Sequence, residues 1–151
     1  MNLESAKKQL NDWILNFLAV SSSTFNNLSI CPYAKQAWLN NKVIVLDNLD
    51  PYSIGELLQS YEVIVQVYDP KQISPDELYH ISQTLSDNEV VALDDHPDVE
   101  ETVGTVKLNN GVYALLLIQS RHKLEQARAI LDLKGYYQNW DPEYLAEVRN
   151  V

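Results

Sequence analysis

Residues 43–68 read VIVLDNLDPYSIGELLQSYEVIVQVY, and this stretch decides the fold class. Val43-Ile44-Val45-Leu46 is a β-branched apolar run of buried-strand type. Asp50-Pro51 is a cap and first-turn pair that opens a helix carrying Ile54, Leu57, Leu58 and Tyr61. Tyr61 to Tyr68 then alternates β-branched and aromatic residues as a second strand. Strand, helix and strand in succession imply a crossover connection, and so a sheet that is at least partly parallel.

Towards the C-terminus, Ser74-Pro75-Asp76-Glu77 is a capping box with proline at the first helical position, and Leu78, Ile81 and Leu85 give that helix its inner face. A third strand, Val90-Val91-Ala92-Leu93, runs into the acidic segment Asp94 to Glu101. Thr102 to Leu108 and Val112 to Ile118 flank Asn109-Asn110-Gly111, and Asn-Gly between two strand-like runs predicts a β-hairpin at an antiparallel edge. Gly104 marks a bulge or a loop in its first arm. Ser120 is the expected cap of the last long helix, with Leu124, Ala127, Ile130 and Leu131 inward and Gly135 as a left-handed stop. Asp141-Pro142-Glu143 opens a final short helix.

Towards the N-terminus, Leu3, Leu10, Trp13, Ile14, Phe17 and Leu18 recur at helical spacing, giving an amphipathic first helix that ends at Ser21-Ser22-Ser23. Pro32 suits the first position of a short second helix, with Cys31 as its cap and an end near Trp38. The expected architecture is one α/β domain over residues 1–151, with α+β as the alternative. Helices pack on a mixed sheet of four to five strands.

A chain of 151 residues buries a continuous core without disulfides or a structural metal. Its net charge of −10 repels phosphate backbones and anionic headgroups, so nucleic acid and membrane are disfavoured partners. No apolar run approaches the length of a membrane span, and a lone cysteine fits a reducing compartment; the expected localisation is cytoplasmic. A small-molecule ligand, a homo-oligomer and a protein partner all remain open. Four glycines, none in a glycine-rich turn after a strand, leave no phosphate-cradling loop.

Cys31 is the first candidate for chemistry. At a helix N-terminus the partial positive charge stabilises thiolate, and Lys35, one turn on, adds to this. His96 lies just past a strand's carboxyl end, where ligands gather in sheets with parallel strands. Beside Asp94, Asp95 and Asp98 it can act as general base for a thiol, with a carboxylate orienting its other nitrogen. The expected catalytic set is therefore Cys31, His96, Asp98 and Lys35. Cys31 and His96 with Asp94, Asp98, Glu100 or Glu101 also supply ligand types for zinc or iron, at a spacing that matches no established metal motif. The plain alternatives are a buried small hydrophobe for Cys31 and a solvated loop for most of the acids. His80 and His122 read as surface residues, and Tyr136-Tyr137 and Trp140 as packing anchors or, if exposed, an interface.

Cys31-Pro32-Tyr33-Ala34 resembles the C-P-Y-C turn of glutaredoxins over four residues. Ala34 replaces the second cysteine, which leaves monothiol chemistry at most, and the polar stretch Ser21 to Ser29 stands where a thioredoxin-like fold has a strand; that kinship is set aside. Ile30-Cys31-Pro32-Tyr33-Ala34-Lys35 and His96-Pro97-Asp98 are also similar to the L-C-P-F-A-K and F-H-P-D-Y segments of a family of small uncharacterised bacterial proteins, in the same order. That resemblance implies no function, but it implies that Cys31 and His96 belong to one site. Two readings follow: thiol-based or metal-assisted chemistry on a small molecule, or a non-catalytic binding or interaction module.

Overall fold

The structure, a computed structural model, describes residues 1–150. The crossover read from residues 43–68 is present: β1 (Val43–Leu46) pairs in parallel with β2 (Val63–Tyr68), and α3 (Ile54–Ser60) connects them. α4 (Pro75–Leu85) starts at the full capping box of Ser74 and Glu77 and leads to β3 (Val90–Asp95). β3 does not join β2 directly. β6 (Ala114–Ser120) lies between them, antiparallel to both, so the order is β1-β2-β6-β3 and the sheet is mixed. A strand that reads Ala-Leu-Leu-Leu-Ile has no polar parity to offer solvent, and the centre of a sheet covered on both faces is where such a strand is stable.

Side-chain alternation divides the core in two. Ile64, Ala92, Leu116 and Ile118 point to the face covered by α3 and α4, where Ile54 and Leu78 pack on them. Val45, Val65, Val67 and Leu115 point to the other face, against Ala6 and Leu10 of α1 (Leu3–Trp13). Each fully buried aliphatic side chain of this kind contributes about 1.5–3 kcal/mol. α2 (Ala34–Leu39), α5 (Arg121–Leu133) and α6 (Pro142–Arg149) complete the chain's six α-helices among the described residues. None of the described helices is long and apolar enough to cross a membrane.

Two local expectations are corrected. The turn at Asn110-Gly111 exists, with Gly111 at φ 80°, but its flanking runs do not pair with each other. Thr102–Val103 (β4) and Val106–Lys107 (β5) instead fold back on themselves around Gly104, whose φ of 60° suits a tight turn. Ile130 faces solvent, while Leu131 is buried. Tyr136, Tyr137 and Trp140 are packing anchors, as expected: with Phe25 and Tyr144 they form one aromatic cluster with ring centroids 4.8–6.0 Å apart. The stop after α5 is as expected, with Gly135 at φ 76°, and a Cβ there would lie 2.5 Å from Asn26 Nδ2. That amide donates to Lys134 O at 2.9 Å, so the same close approach that demands glycine ties α5 to the loop after α1.

Candidate functional site

α1 does not end as a regular helix. Ile14–Leu18 is a π-helical turn, closed by the Ala19 N–H donating to Ile14 O at 2.9 Å, a geometry concentrated at functional sites. The chain then reverses and returns beside itself, with Ser21 and Ser29 forming a single antiparallel bridge. The Cys31 N–H donates to Leu18 O at 2.8 Å, fixing Cys31 against the π turn. Cys31 is not the helix cap: Cys31 O accepts from the Ala34 N–H in a turn that precedes α2, and Tyr33 occupies the cap position without a side-chain bond.

Cys31, the π turn and α2 form one wall of a cavity of about 480 Å³. Its floor is the sheet face bearing Val63, Val65, Leu93 and Leu117, and its far side is Leu124, Ala127, Arg128 and Leu131 of α5. The aromatic cluster supplies Tyr136, Tyr137 and Trp140. The volume is that of a small-molecule pocket, and the lining is mainly hydrocarbon and aromatic with few polar groups, as such pockets are. All three tryptophans of the chain, Trp13, Trp38 and Trp140, line it. Trp38 Nε1 donates to Asn11 Oδ1 at 2.8 Å, whereas Trp13 Nε1 and Trp140 Nε1 are buried without an acceptor. An unmet buried donor costs roughly 1–3 kcal/mol, so two on one cavity's wall call for an explanation.

Burial pushes the Cys31 thiol up from its ordinary value, against the pull of the Ala34 and Tyr33 backbone N–H groups. The N–H donors expected at a helix start are present, but desolvation outweighs them. Lys35 is exposed and is not part of the cavity wall.

His96, only 2% exposed, is used up structurally. Its Nδ1 accepts the Asp98 N–H at 3.1 Å, so Nε2 carries the proton and donates to Ile73 O at 2.8 Å. No ring nitrogen is left to serve as base. The Asp98 carboxylate is exposed and 3.9 Å from Nδ1, and no hydrogen bond or ion pair links His96 to Cys31. The structure thus gives Cys31 and His96 different surroundings: one faces the cavity, the other pins the loop after β3 to the start of α4. Among the described residues no group of three or more His, Cys, Asp or Glu side chains is placed to hold a metal ion. We expect Cys31 alkylation to show a midpoint above the unfolded thiol reference of about 8.5, and His96→Ala to leave it unmoved. A midpoint below that reference that rises in His96→Ala would restore the catalytic pair.

The acids after β3 are not a uniformly solvated loop. Asp95 is the last residue of the strand and is buried, its Oδ1 accepting from Asn109 Nδ2 at 2.7 Å and its Oδ2 from Asn110 Nδ2 at 3.3 Å. Asn109 Nδ2 also donates to Val99 O at 2.9 Å and His96 O at 3.2 Å, and its Oδ1 accepts the Glu101 N–H at 2.8 Å. Burial, with Asp95, Asp94 and Glu147 nearby, pushes the Glu101 carboxyl up to about 7, with the Tyr144 hydroxyl beside it. The roles of Asn109 and of the two unpartnered indole N–H groups are hidden in the sequence: Asn109 reads as turn chemistry, and the three tryptophans are far apart along the chain. Compared with protein-family models, curated proteins and solved structures, the chain matches none.

Proposed function

We propose that this protein binds a small apolar molecule in the cavity between the sheet and α5, as a binding module in which Cys31 is a wall residue. One observation carries the reading: a cavity of about 480 Å³ with hydrocarbon walls and, on the residues that line it, two buried indole N–H groups without acceptors. An apolar guest with an acceptor atom suits both features, because apolar burial supplies affinity and a few placed polar groups supply orientation. Thiol chemistry on that guest is the second reading, favoured by Cys31 lying on the wall, and opposed by the burial that disfavours its thiolate.

The uncharged dye Nile red tests this, since binding shifts its emission and quenches tryptophans that share one site. Saturable one-to-one binding is expected in the wild type. Ala127→Trp, which fills the cavity from α5, should abolish it, and ligand occupancy should slow Cys31 alkylation. Dye binding of equal strength in Ala127→Trp, with no protection of Cys31, would place the apolar site elsewhere.

A further inference from the structure

The chain has three arginines, Arg121, Arg128 and Arg149, and the fold gathers all three around α5 and α6. Burial, and beside it Arg149 and Arg121, disfavour the charge on Arg128, while Tyr137 and Glu125 favour it. Arg121 is occupied: its Nε donates to Asp87 O at 2.8 Å. Arg149 sits over the Tyr137 ring, 4.6 Å from the centroid. Of the three arginines Arg128 alone lines the cavity, partly buried, and among the described residues its one acceptor is Val148 O at 3.5 Å. Among the described residues no carboxylate lies within ion-pair distance of it, the ion pairs there being Lys7–Glu4 and His96–Asp98. Glu125 is exposed on α5 and Glu62 is exposed at the cavity wall.

Gathering like charges is unfavourable, more so on a partly desolvated guanidinium that presents five donors, meets one long bond among the described residues and has only the exposed Glu125 as a more distant counter-charge. Lys123, exposed at the same wall, adds to the local positive field in a chain of net charge −10. The arrangement is complementary to an anion attached to an apolar body.

We propose that the cavity takes an amphipathic carboxylate, its head group paired with Arg128 and its hydrocarbon portion along the sheet wall by Leu93 and Leu117. This rests on reading the cavity as a binding site and goes further, to the chemical class of the guest. A planar guanidinium matches a carboxylate in two parallel bonds, which distinguishes Arg128 from a point charge.

The test compares decanoate with decan-1-ol, each below its micellar concentration, by calorimetry and tryptophan emission, on the wild type, Arg128→Gln and Arg128→Lys. Decanoate should bind the wild type about tenfold or more tighter than the alcohol. Arg128→Gln should lose that preference while keeping alcohol affinity, and Arg128→Lys should retain part of it. High salt should shrink the preference in the wild type, a readout that needs no variant. Equal affinities in the wild type, or a preference that survives Arg128→Gln, overturn the anion proposal while alcohol binding leaves the cavity reading in place. If neither compound nor Nile red binds, the cavity reading fails, and this proposal with it.

Discussion

Asn109→Ala is expected to destabilise the protein by about 3 kcal/mol or more. Asn109 is 8% exposed and uses its amide fully, its two N–H hydrogens shared among Asp95 Oδ1, Val99 O and, at longer range, His96 O, while its Oδ1 accepts from the Glu101 N–H. Alanine leaves that N–H, the Val99 carbonyl and a carboxylate oxygen without their partner in a site water reaches poorly, while His96 O keeps the Val99 N–H at 3.0 Å. Such groups cost roughly 1–3 kcal/mol each before relaxation, and more when charged, so about 3 kcal/mol allows for considerable rearrangement. For a domain of this size that corresponds to a fall of about 6–12 °C in Tm. Burial already raises the Asp95 carboxyl, and the two asparagine amides work against that rise. Removing one of them raises it further, so the loss should deepen as pH increases. Thermal melts at several pH values and hydrogen exchange at the Glu101 amide check this. A variant melting within about 1 °C of the wild type would mean that the Asn109 network contributes little.

Glu101→Gln is expected to act in the opposite direction, stabilising the protein at alkaline pH and leaving it unchanged in acid. In the folded chain the carboxyl is raised from near 4.5 to about 7, first by burial and then by Asp95, Asp94 and Glu147. The native state therefore binds this proton more tightly than the unfolded state does. Below about pH 4.5 both states are protonated and the group makes no difference; as pH rises to about 7 stability is lost, and above that the penalty is complete. Glutamine abolishes the titration and keeps an amide beside the Tyr144 hydroxyl. The gap between variant and wild type should open with pH and reach on the order of 2–3 kcal/mol at pH 8. Asp94 and Asp95 are also raised by burial, so part of the wild-type slope should persist in the variant. Urea unfolding from pH 4 to 8 reads this directly, and parallel curves for the two proteins would contradict it.

What the sequence discloses depends on how local the determining interaction is. The starts of α4, α5 and α6 are legible because Ser74, Ser120 and Asp141 each accept from a backbone N–H within three residues. The chemistry of the Asn110-Gly111 turn was equally legible, and Asn110 Oδ1 does accept from the Val112 and Tyr113 N–H groups. The partner of the strand after it was not, because pairing is chosen by burial over the whole sheet. β6 is apolar at both parities and needs a neighbour on each side, whereas Thr102 and Lys107 are exposed and suit a small separate hairpin. The environment of the Cys31 thiol is non-local for a related reason. Helix-start N–H groups can be inferred from Pro32 and its neighbours, but desolvation depends on the π turn and on Tyr136, which is buried against Ile30 through its hydroxyl. His96 was correctly placed at a strand end, yet its role was decided by Ile73 O, a residue remote in sequence. The cavity lies wholly on the non-local side, since its wall draws on residues from Leu10 to Val148.

The central position of β6 also sets an order of events at biosynthesis. Every long-range rung of the sheet except the β1–β2 pairing uses residues 114–120. A nascent chain that ends before them holds β1 and β2 as one fragment and β3 as another, each with an unpaired apolar edge and nothing to join them. Pairing across such sequence distances is slow, and exposed strand edges of this kind are prone to self-association. The last quarter of the chain is therefore the part whose arrival turns two sticky fragments into one sheet.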